Sequence, residues 1–303
     1  MQDEQKYKVL ITIDPTEPEL RPTETSLAWF KKWASERDVS IEAVFVSFGD
    51  NDRLMTKFGF SDYVNTLNLG KKVDSKILIE KSSSRRKAVN AVIQYSKKAN
   101  DDLIVVSSHG RSGPGRLVLG SFAESLLATS PVPVLFLCEG TDQPAQHSGK
   151  ILFPTDFSEP SKRAFDLFLE QLKGYGGEVI LYHAVSPPGA IYDTGVMSMP
   201  VYVPESYWLE LREWSDRESD QMQKNAISKG FKVRAVIQDG VLNTPMAIEK
   251  FAQDEKVDLI GMASLSRGLE SAILGSVAKG IFRLRKWPVW VCGPETVFER
   301  KNK

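Results

Sequence analysis

The feature that most constrains this chain is an internal repeat. A lysine-led apolar run that ends in aspartate occurs at residues 8–14 and again at 150–156. Three further landmarks recur in the same order: an Asp-Leu-Ile run at 102–104 and 258–260, a Gly-Ser pair at 120–121 and 275–276, and a Pro-Val pair at 133–134 and 288–289. Solenoid repeats have periods of only about 20–50 residues. The much longer period here therefore indicates duplication of a whole domain.

The repeat divides the chain into two predicted domains. They span residues 1–138 and 150–303, and the segment 139–149 between them is polar and rich in glycine, proline and serine, which is typical of a linker. A length of 303 residues fits two domains of ordinary size.

Composition excludes several classes of protein. Apolar residues make up 42% of the chain, enough to build two cores, so disorder is not expected. The 39 basic residues are balanced by 39 acidic ones, which argues against a nucleic-acid binder. No apolar run is long enough to span a membrane, and the N-terminus lacks the apolar core of a secretory signal. We therefore expect a cytoplasmic protein.

Cysteine and histidine are scarce. The two cysteines, Cys138 and Cys292, cannot build a disulfide framework, and the three histidines lack metal-ligand spacing. The sequence therefore predicts no metal site.

Apolar periodicity predicts the same order of strands and helices in both halves. The predicted strands are solid runs of Val, Ile and Leu at 9–13, 41–48, 76–80, 103–107 and 132–138, and at 151–154, 179–184, 233–238, 259–262 and 289–292. Helical spacing is clearest at 23–37, 85–99, 121–128 and 205–229, whereas 51–72 is ambiguous. Alternating helices and solid apolar strands predict a parallel sheet covered on both faces. Such sheets bind ligands at the carboxyl ends of their strands.

A glycine-rich loop follows the fourth predicted strand and opens a helix. It contains Gly110 and ends at Gly120-Ser121, with two arginines between them. Glycine lets the backbone approach a ligand closely, and a helix N-terminus attracts anions. The segment is therefore a candidate phosphate cradle. The alternative is a tight turn in which glycine and serine only cap the helix.

Several known chemistries lack their motifs here. The chain has no G-x-x-x-x-G-K-[ST] segment, no G-x-G-x-x-G after the first strand and no G-x-S-x-G elbow. No spacing brings together a nucleophile, a base and an orienting group. The sequence therefore favours a binding protein over an enzyme.

Together, these motifs resemble the universal stress protein family, and the resemblance covers both halves, as in a tandem member. It implies an α/β fold with two doubly wound, five-stranded parallel sheets of order 3-2-1-4-5, of the adenine nucleotide alpha-hydrolase-like type. It also implies that the fifth strands, at 132–137 and 287–292, pair antiparallel and join the domains as an intramolecular pseudo-dimer. In that arrangement no disulfide between the cysteines is expected, and both thiols would be buried.

Many members of this family bind ATP through G-x-x-G-x9-G-[ST]. The first half has Ser107 in place of the first glycine, but it keeps Gly110, a nine-residue spacer and Gly120-Ser121. The resemblance further implies a contact to adenosine from Asp14, and it places Phe48 at the adenine pocket, where the bulky ring would either stack on adenine or fill the pocket. The complete predicted nucleotide site of the first half is Asp14, Phe48, Val106, Ser107, Gly110, Gly120, Ser121 and Phe122.

The second half departs further from the family motif. Ala263 and Ser266 replace the two leading glycines, and the spacer before Gly275 is eight residues, one short. The resemblance therefore implies a second site that binds ATP weakly or not at all. Its residues would be Asp156, Ala184, Met262, Ala263, Gly275 and Ser276.

The resulting function hypothesis is a stress-response regulator that binds an adenine nucleotide, such as ATP with Mg²⁺, with slow hydrolysis at most. One alternative is a scaffold for unidentified protein partners without a nucleotide role. Another is an apolar-ligand binder that uses the Met-, Tyr- and Pro-rich segment 186–207 of the second domain. Association of two chains into a homodimer stays open.

Overall fold

The computed structural model describes residues 6–15, 22, 24–48, 57–81, 83–107, 120–137, 148–186, 204–265, 274–284 and 286–299. Gly110, Cys138, Ser266, nearly all of the predicted linker and most of the segment 186–207 lie outside these ranges.

Each half contributes five strands. In the first half they are β1 (Tyr7–Thr12), β2 (Val39–Phe48), β3 (Val73–Glu80), β4 (Leu103–Ser107) and β5 (Val134–Leu137). In the second half they are β6 (Lys150–Pro154), β7 (Glu178–Ala184), β8 (Lys232–Gln238), β9 (Leu259–Ala263) and β10 (Val289–Cys292). All ten were predicted, with bounds that differ by at most a few residues.

Nine helices lie between and after these strands in the described ranges. In the first half they are α1 (Glu24–Ser35), α2 (Lys57–Thr66), α3 (Arg85–Ala99) and α4 (Ser121–Thr129). In the second half they are α5 (Glu159–Leu172), α6 (Glu205–Ser228), α7 (Thr244–Glu255), α8 (Ser276–Leu284) and α9 (Pro294–Glu299). Across these residues, no helix is both long enough and apolar enough to cross a bilayer.

The strands form one ten-stranded sheet of order β3-β2-β1-β4-β5-β10-β9-β6-β7-β8. Neighbouring strands within each half are parallel, and each half has the predicted order 3-2-1-4-5. The halves meet where β5 and β10 pair antiparallel, with Leu135 opposite Trp290. The predicted fold class is confirmed, and the pairing covers one edge strand of each half.

The sheet register aligns the two halves residue by residue. Lys8 pairs with Ser40 on β2, and its repeat partner Lys150 pairs with Glu178 on β7. The backbone N–H of Asp102 donates to the Lys8 carbonyl at 2.8 Å, and that of Asp258 donates to the Lys150 carbonyl at 2.8 Å. Positions in one half can therefore be compared directly with their counterparts in the other.

Apolar residues fill both faces of the sheet. On one face, the core is packed by helices α1, α2, α5, α6 and α9, with Phe30, Phe60, Phe168, Met222 and Val297 in the cluster. On the other face it is packed by α3, α4, α7 and α8, with Val92, Ala123, Ile248 and Ala278. Burial on both faces explains why the strands are solid apolar runs.

Local signals fix where several helices start and stop. Ser158 caps α5 by accepting from the Ser161 N–H at 3.3 Å, and Asn243 caps α7 by accepting from the Met246 N–H at 3.1 Å. Helices α3 and α7 both end in a left-handed residue, Asn100 and Lys256.

Helix α9 was not predicted, because it follows the last landmark of the repeat. It crosses to the first half, where the Thr296 hydroxyl donates to the Ser130 carbonyl at 3.0 Å. The preceding Gly293 is packed so closely that an added Cβ would lie 2.1 Å from the Leu127 carbonyl oxygen. The chain end therefore adds to the contact between the halves.

Candidate functional site

A cavity of about 210 Å³ lies in the second half, at the carboxyl ends of β6, β7 and β9. Its walls also include residues from the start of α5, from α7 and from the first turn of α8. Its lining includes Thr155, Asp156, His183, Ala184, Thr244, Met262, Ala263, Ser264, Gly275 and Val277. This is the edge at which doubly wound sheets bind ligands, and five of the six predicted second-site residues line it; the sixth, Ser276, does not.

The turn after β6 positions Asp156. The Thr155 hydroxyl accepts from the Phe157 N–H at 3.0 Å and lies 2.9 Å from the Ser161 hydroxyl, which fixes the turn. Asp156 Oδ1 accepts from the Ser158 N–H at 3.0 Å. Within the described part of the chain, Oδ2 of Asp156 has no hydrogen-bond partner, so this oxygen can accept from a ligand hydroxyl.

Ser264 follows β9 and is only 2% exposed. Its backbone is fully engaged, since its N–H donates to the Cys292 carbonyl at 2.9 Å and its carbonyl accepts from the Gly275 N–H at 2.8 Å. Its hydroxyl oxygen, however, is buried without a hydrogen-bond partner among the described residues. An unpaired buried hydroxyl costs about 1–3 kcal/mol. Ser264 lines the cavity, but its hydroxyl oxygen does not face the open space.

Helix α8 begins beside Ser264. The Gly275 N–H is bonded to Ser264, so it is not available to a phosphate, and the Gly275 carbonyl accepts from the Lys279 N–H at 3.0 Å. The N–H groups of Ser276 and Val277 belong to the first helical turn, where no preceding carbonyl of the helix can accept from them. Anion binding at this edge would therefore use the helix turn.

Burial keeps His183 neutral. Its ring contacts the Phe157 ring at 4.6 Å and the Trp214 ring at 6.2 Å between centroids. Burial lowers the His183 pKa, while the Thr155 carbonyl, Asp156 and Asp239 raise it less. Nδ1 lies 2.8 Å from the Thr155 carbonyl oxygen, which can only accept, so Nδ1 carries the proton. His183 thus ties β7 to the turn that holds Asp156.

In the first half, Asp14 follows β1 as Asp156 follows β6. It lines a separate cavity of about 10 Å³, apolar in character, that has room for one water at most. Val106, on β4, is buried in the core on the α3 and α4 face. Phe122, in the first turn of α4, packs against the same core. Ser107 ends β4, and Gly110 lies beyond the described residues.

The register places Phe48 differently from the sequence-based assignment. Ser40 and Glu178 are equivalent, so Phe48 corresponds to Ser186, and the counterpart of Ala184 is Val46. Phe48 lies on the same face as Val46, one pleat farther along β2. Val46, and not Phe48, is therefore the first-half residue at the register position of Ala184.

The first turn of helix α4 has backbone N–H groups that no capping side chain satisfies. Gly120 is its N-cap and supplies no side-chain hydrogen bond. The N–H groups of Ser121 and Phe122 thus lack a capping side chain. Glu124 in the same turn is the acidic residue that competes with an anion there.

Sequence reasoning missed Thr155, Thr244 and Ser264. The repeat contained a usable signal for one of them, because Ser264 aligns with Ser108 when the two Asp-Leu-Ile runs are matched. Thr155 aligns with Ile13, and no motif marks it. Over the described ranges, no group of three or more His, Cys, Asp or Glu side chains could hold a metal ion.

Comparison with known proteins agrees with this architecture. The model of the universal stress protein family matches residues 67–137 and 147–293. Universal stress protein MJ0577 of Methanocaldococcus jannaschii is 31% identical over 168 residues, which cover 50% of this chain and 96% of that protein. Universal stress protein MJ0531 of the same organism is 30% identical over 147 residues, covering 47% and 80%.

Solved structures show the same fold over nearly the whole chain. A universal stress protein from Archaeoglobus fulgidus superposes with a TM-score of 0.62 at 20% identity, covering 95% of this chain and 97% of that one. One from Pseudomonas aeruginosa gives 0.64 at 15% identity, covering 97% and 96%.

The fold and the cavity thus define a doubly wound α/β protein with a cavity at the carboxyl edge of its sheet. The family match covers well over half of the sequence. The chain belongs to the universal stress protein family.

Proposed function

We propose that this universal stress protein is a regulator that binds an adenine nucleotide at the carboxyl edge of its sheet. The observation that carries the proposal is the cavity of about 210 Å³, whose wall contains Asp156 and residues from the first turn of α8. The Asp156 Oδ2 atom has no hydrogen-bond partner among the described residues, and the first α8 turn begins with N–H groups that no helix carbonyl satisfies. A sugar hydroxyl and a phosphate would satisfy these two groups together.

The small side chain of Ala184 would leave room for the base, and Asp156 would accept from a ribose hydroxyl. The phosphates would lie toward the start of α8, because an uncapped helix N-terminus favours anions. Mg²⁺ would enter with the nucleotide phosphates, since the described residues offer no cluster that could hold a metal ion.

We further propose that the first half binds the nucleotide more tightly. It keeps Gly110 and Gly120 with the family spacing, and the Gly120 N-cap leaves the first α4 turn uncapped. The second half has lost both leading glycines, and the Gly275 N–H is already bonded to Ser264. Val46 and Phe122 are bulkier than their counterparts Ala184 and Val277. This difference would favour binding by the second half instead.

Binding rather than catalysis is the proposed role. Asp156 Oδ1 accepts from Ser158 and its Oδ2 would accept from the ribose, while the His183 ring donates to the Thr155 carbonyl, so in this arrangement neither group would act on the phosphates. Any hydrolysis of bound ATP would therefore be slow. Cytoplasmic location is part of the same proposal.

Isothermal titration of the full chain with ATP and Mg²⁺ tests the proposal. Asp14→Asn and Asp156→Asn, each alone, would weaken one site about 10- to 100-fold, the cost of a charge-assisted hydrogen bond. The exposed Asp254→Asn is the matched control. If millimolar ATP, ADP and AMP give neither heat nor thermal stabilisation, the nucleotide role is wrong and the scaffold alternative gains support.

A further inference from the structure

A polar cluster lies in the first half between α3 and the sheet, away from the proposed nucleotide site; two of its residues are buried and two are half-buried. It consists of Glu42 on β2, Tyr95 and Ser96 on α3, and Asp101 just before β4. The second half fills the four equivalent positions with apolar side chains: Ile180, Phe251, Ala252 and Val257.

The backbone establishes this equivalence. The Asp101 N–H donates to the Ser96 carbonyl at 3.1 Å, and the Val257 N–H donates to the Ala252 carbonyl at 3.0 Å. On the sheet, Glu42 pairs with Leu10 of β1, and Ile180 pairs with Leu152, the repeat counterpart of Leu10. The same fold therefore accommodates an apolar version of this junction, so the polar version is not required by packing.

The carboxyl of Asp101 is poorly satisfied. The residue is 8% exposed and Ser96 is 1% exposed, yet neither the Asp101 Oδ2 atom nor the Ser96 hydroxyl makes a hydrogen bond of normal geometry among the described residues. By contrast, the Tyr95 hydroxyl donates to Glu42 Oε1 at 2.6 Å, and the Lys76 ammonium lies 4.5 Å from the Tyr95 ring centroid. Glu42 is thus held by Tyr95 as a hydrogen-bond acceptor, and its charge acts on Asp101.

The charges around Asp101 do not neutralise it. The Asp101 pKa is raised to about 6, with burial as the largest cause; Ser96 and Lys8 act in the lowering direction, and Glu42 and Asp102 in the raising direction. Lys8 is the cation that lowers the Asp101 pKa. Its ammonium, however, donates to the Ala99 carbonyl at 2.8 Å. Its backbone N–H donates to Asp102 Oδ2 at 2.9 Å.

We propose that Glu42, Tyr95, Ser96 and Asp101 form a proton-responsive switch that tightens the junction of α3 and β4 when the surroundings become mildly acidic. Proton uptake by Asp101 removes a buried charge beside a second carboxylate. It also supplies an O–H donor beside the Ser96 hydroxyl, which can accept. The second half, with Val257 at this position, has no such response.

The direction follows from linkage. A carboxyl whose pKa is higher in the folded state than in the unfolded chain binds a proton on folding. Its contribution to stability therefore grows as the pH falls from 7 toward 5. For an unfolded value near 4 and a folded value near 6, the opening equilibrium of this junction falls about tenfold over that range.

Hydrogen exchange on the full chain, corrected for intrinsic rates, measures this opening. Amides of α3 and β4 should gain about tenfold protection between pH 7 and pH 5, whereas the equivalent amides of α7 and β9 should gain none. Asp101→Asn should lock the first-half amides in the protected state at both pH values. Asp101→Val copies the second half and should also remove the response, and the exposed Asp254→Asn should keep it.

The proposal is overturned if the wild-type protection of α3 and β4 does not rise on acidification, or if Asp101→Asn keeps the full rise. Wild-type protein labelled with ¹³C at the aspartate carboxyls gives a second test that needs no folded variant. One buried aspartate should titrate near pH 6, and titration of all aspartates near pH 4 would contradict the proposal. Neither test involves nucleotide.

Discussion

Trp33 and Gln171 occupy equivalent positions in the two halves and are hydrogen-bonded to each other. Each lies seven residues before the strand residue that pairs with the repeated lysine, Ser40 in one case and Glu178 in the other. The Trp33 indole N–H donates to the Gln171 carbonyl at 2.9 Å. The duplicated helices α1 and α5 thus meet across the junction, each with a different side chain at the same point.

The side chain of Gln171 completes this contact. Its Oε1 accepts from the Trp290 indole N–H, and its amide donates to the Asp102 carbonyl at 3.1 Å. Trp290 lies on β10 at the antiparallel junction, so one glutamine ties α5, the junction strand and the first half together.

Gln171→Met should lower the free energy of unfolding by about 1–3 kcal/mol, because the buried Trp290 N–H is left without an acceptor. Urea denaturation followed by tryptophan fluorescence measures the loss. Gln253→Met, on the exposed side of α7, is the control and should change little. In a Trp290→Phe background the Gln171 substitution should cost clearly less; equal costs in both backgrounds would contradict the stated cause.

Gly261→Ala should destabilise the protein by about 1–3 kcal/mol through overpacking. A Cβ at Gly261 would lie 2.5 Å from a Phe168 ring carbon, whereas the equivalent position in the first half is Val105. Adding Phe168→Leu should recover part of the loss. Gly59→Ala is the matched control, since Gly59 lies in α2 with nothing within 4 Å and should stabilise by about 0.5–1 kcal/mol. The denaturation midpoint should fall in Gly261→Ala and rise in Gly59→Ala.

Gly120→Asp and Glu124→Gln should change nucleotide affinity in opposite directions. A carboxylate at the N-cap of α4 would occupy the first-turn N–H groups and repel phosphate, so ATP binding by the first half should weaken at least tenfold. Removing the Glu124 charge should strengthen it by up to about fivefold. Titration calorimetry against ATP measures both. Affinity that moves the same way in both variants would argue against an anion site at this helix.

His183 should make the second half less stable in acid. Its folded pKa is lowered, so the unfolded chain binds the proton more readily and stability is lost as the pH falls below the unfolded value near 6.5. Exchange protection of β7 amides should therefore fall between pH 7 and pH 5, opposite to the response proposed for α3 and β4. His183→Phe, which copies Phe45 of the first half, should remove this loss. If the loss of β7 protection on acidification is unchanged in His183→Phe, a group other than His183 causes that loss.

Much of the fold followed from patterns that are local in the sequence. Solid apolar strands and repeated landmarks predicted the strand order, because buried parallel strands need apolar side chains on both faces. The motif did not indicate which β2 residue corresponds to Ala184, because strand register depends on the length of the turn between α1 and β2, which the motif does not encode. The register shows that Val46 is the counterpart of Ala184.

The site was predictable only where motif residues line it. Asp156 and Ala184 line the cavity as their motif positions suggested, but Ser264 is held in its wall by the Gly275 N–H, a contact eleven residues apart that no periodicity reveals. The polar junction at Asp101 was equally hidden, since it is visible only when both halves are superposed.

The antiparallel pairing of β5 with β10 lies within a single polypeptide, so dilution cannot separate the two halves. Two independent chains joined at such an edge would come apart as their abundance fell, and any change would appear twice. Here each crevice and each buried junction can acquire its own sequence while its neighbour stays intact. Because the two halves are joined in one chain, they can differ in sequence and in function while remaining paired.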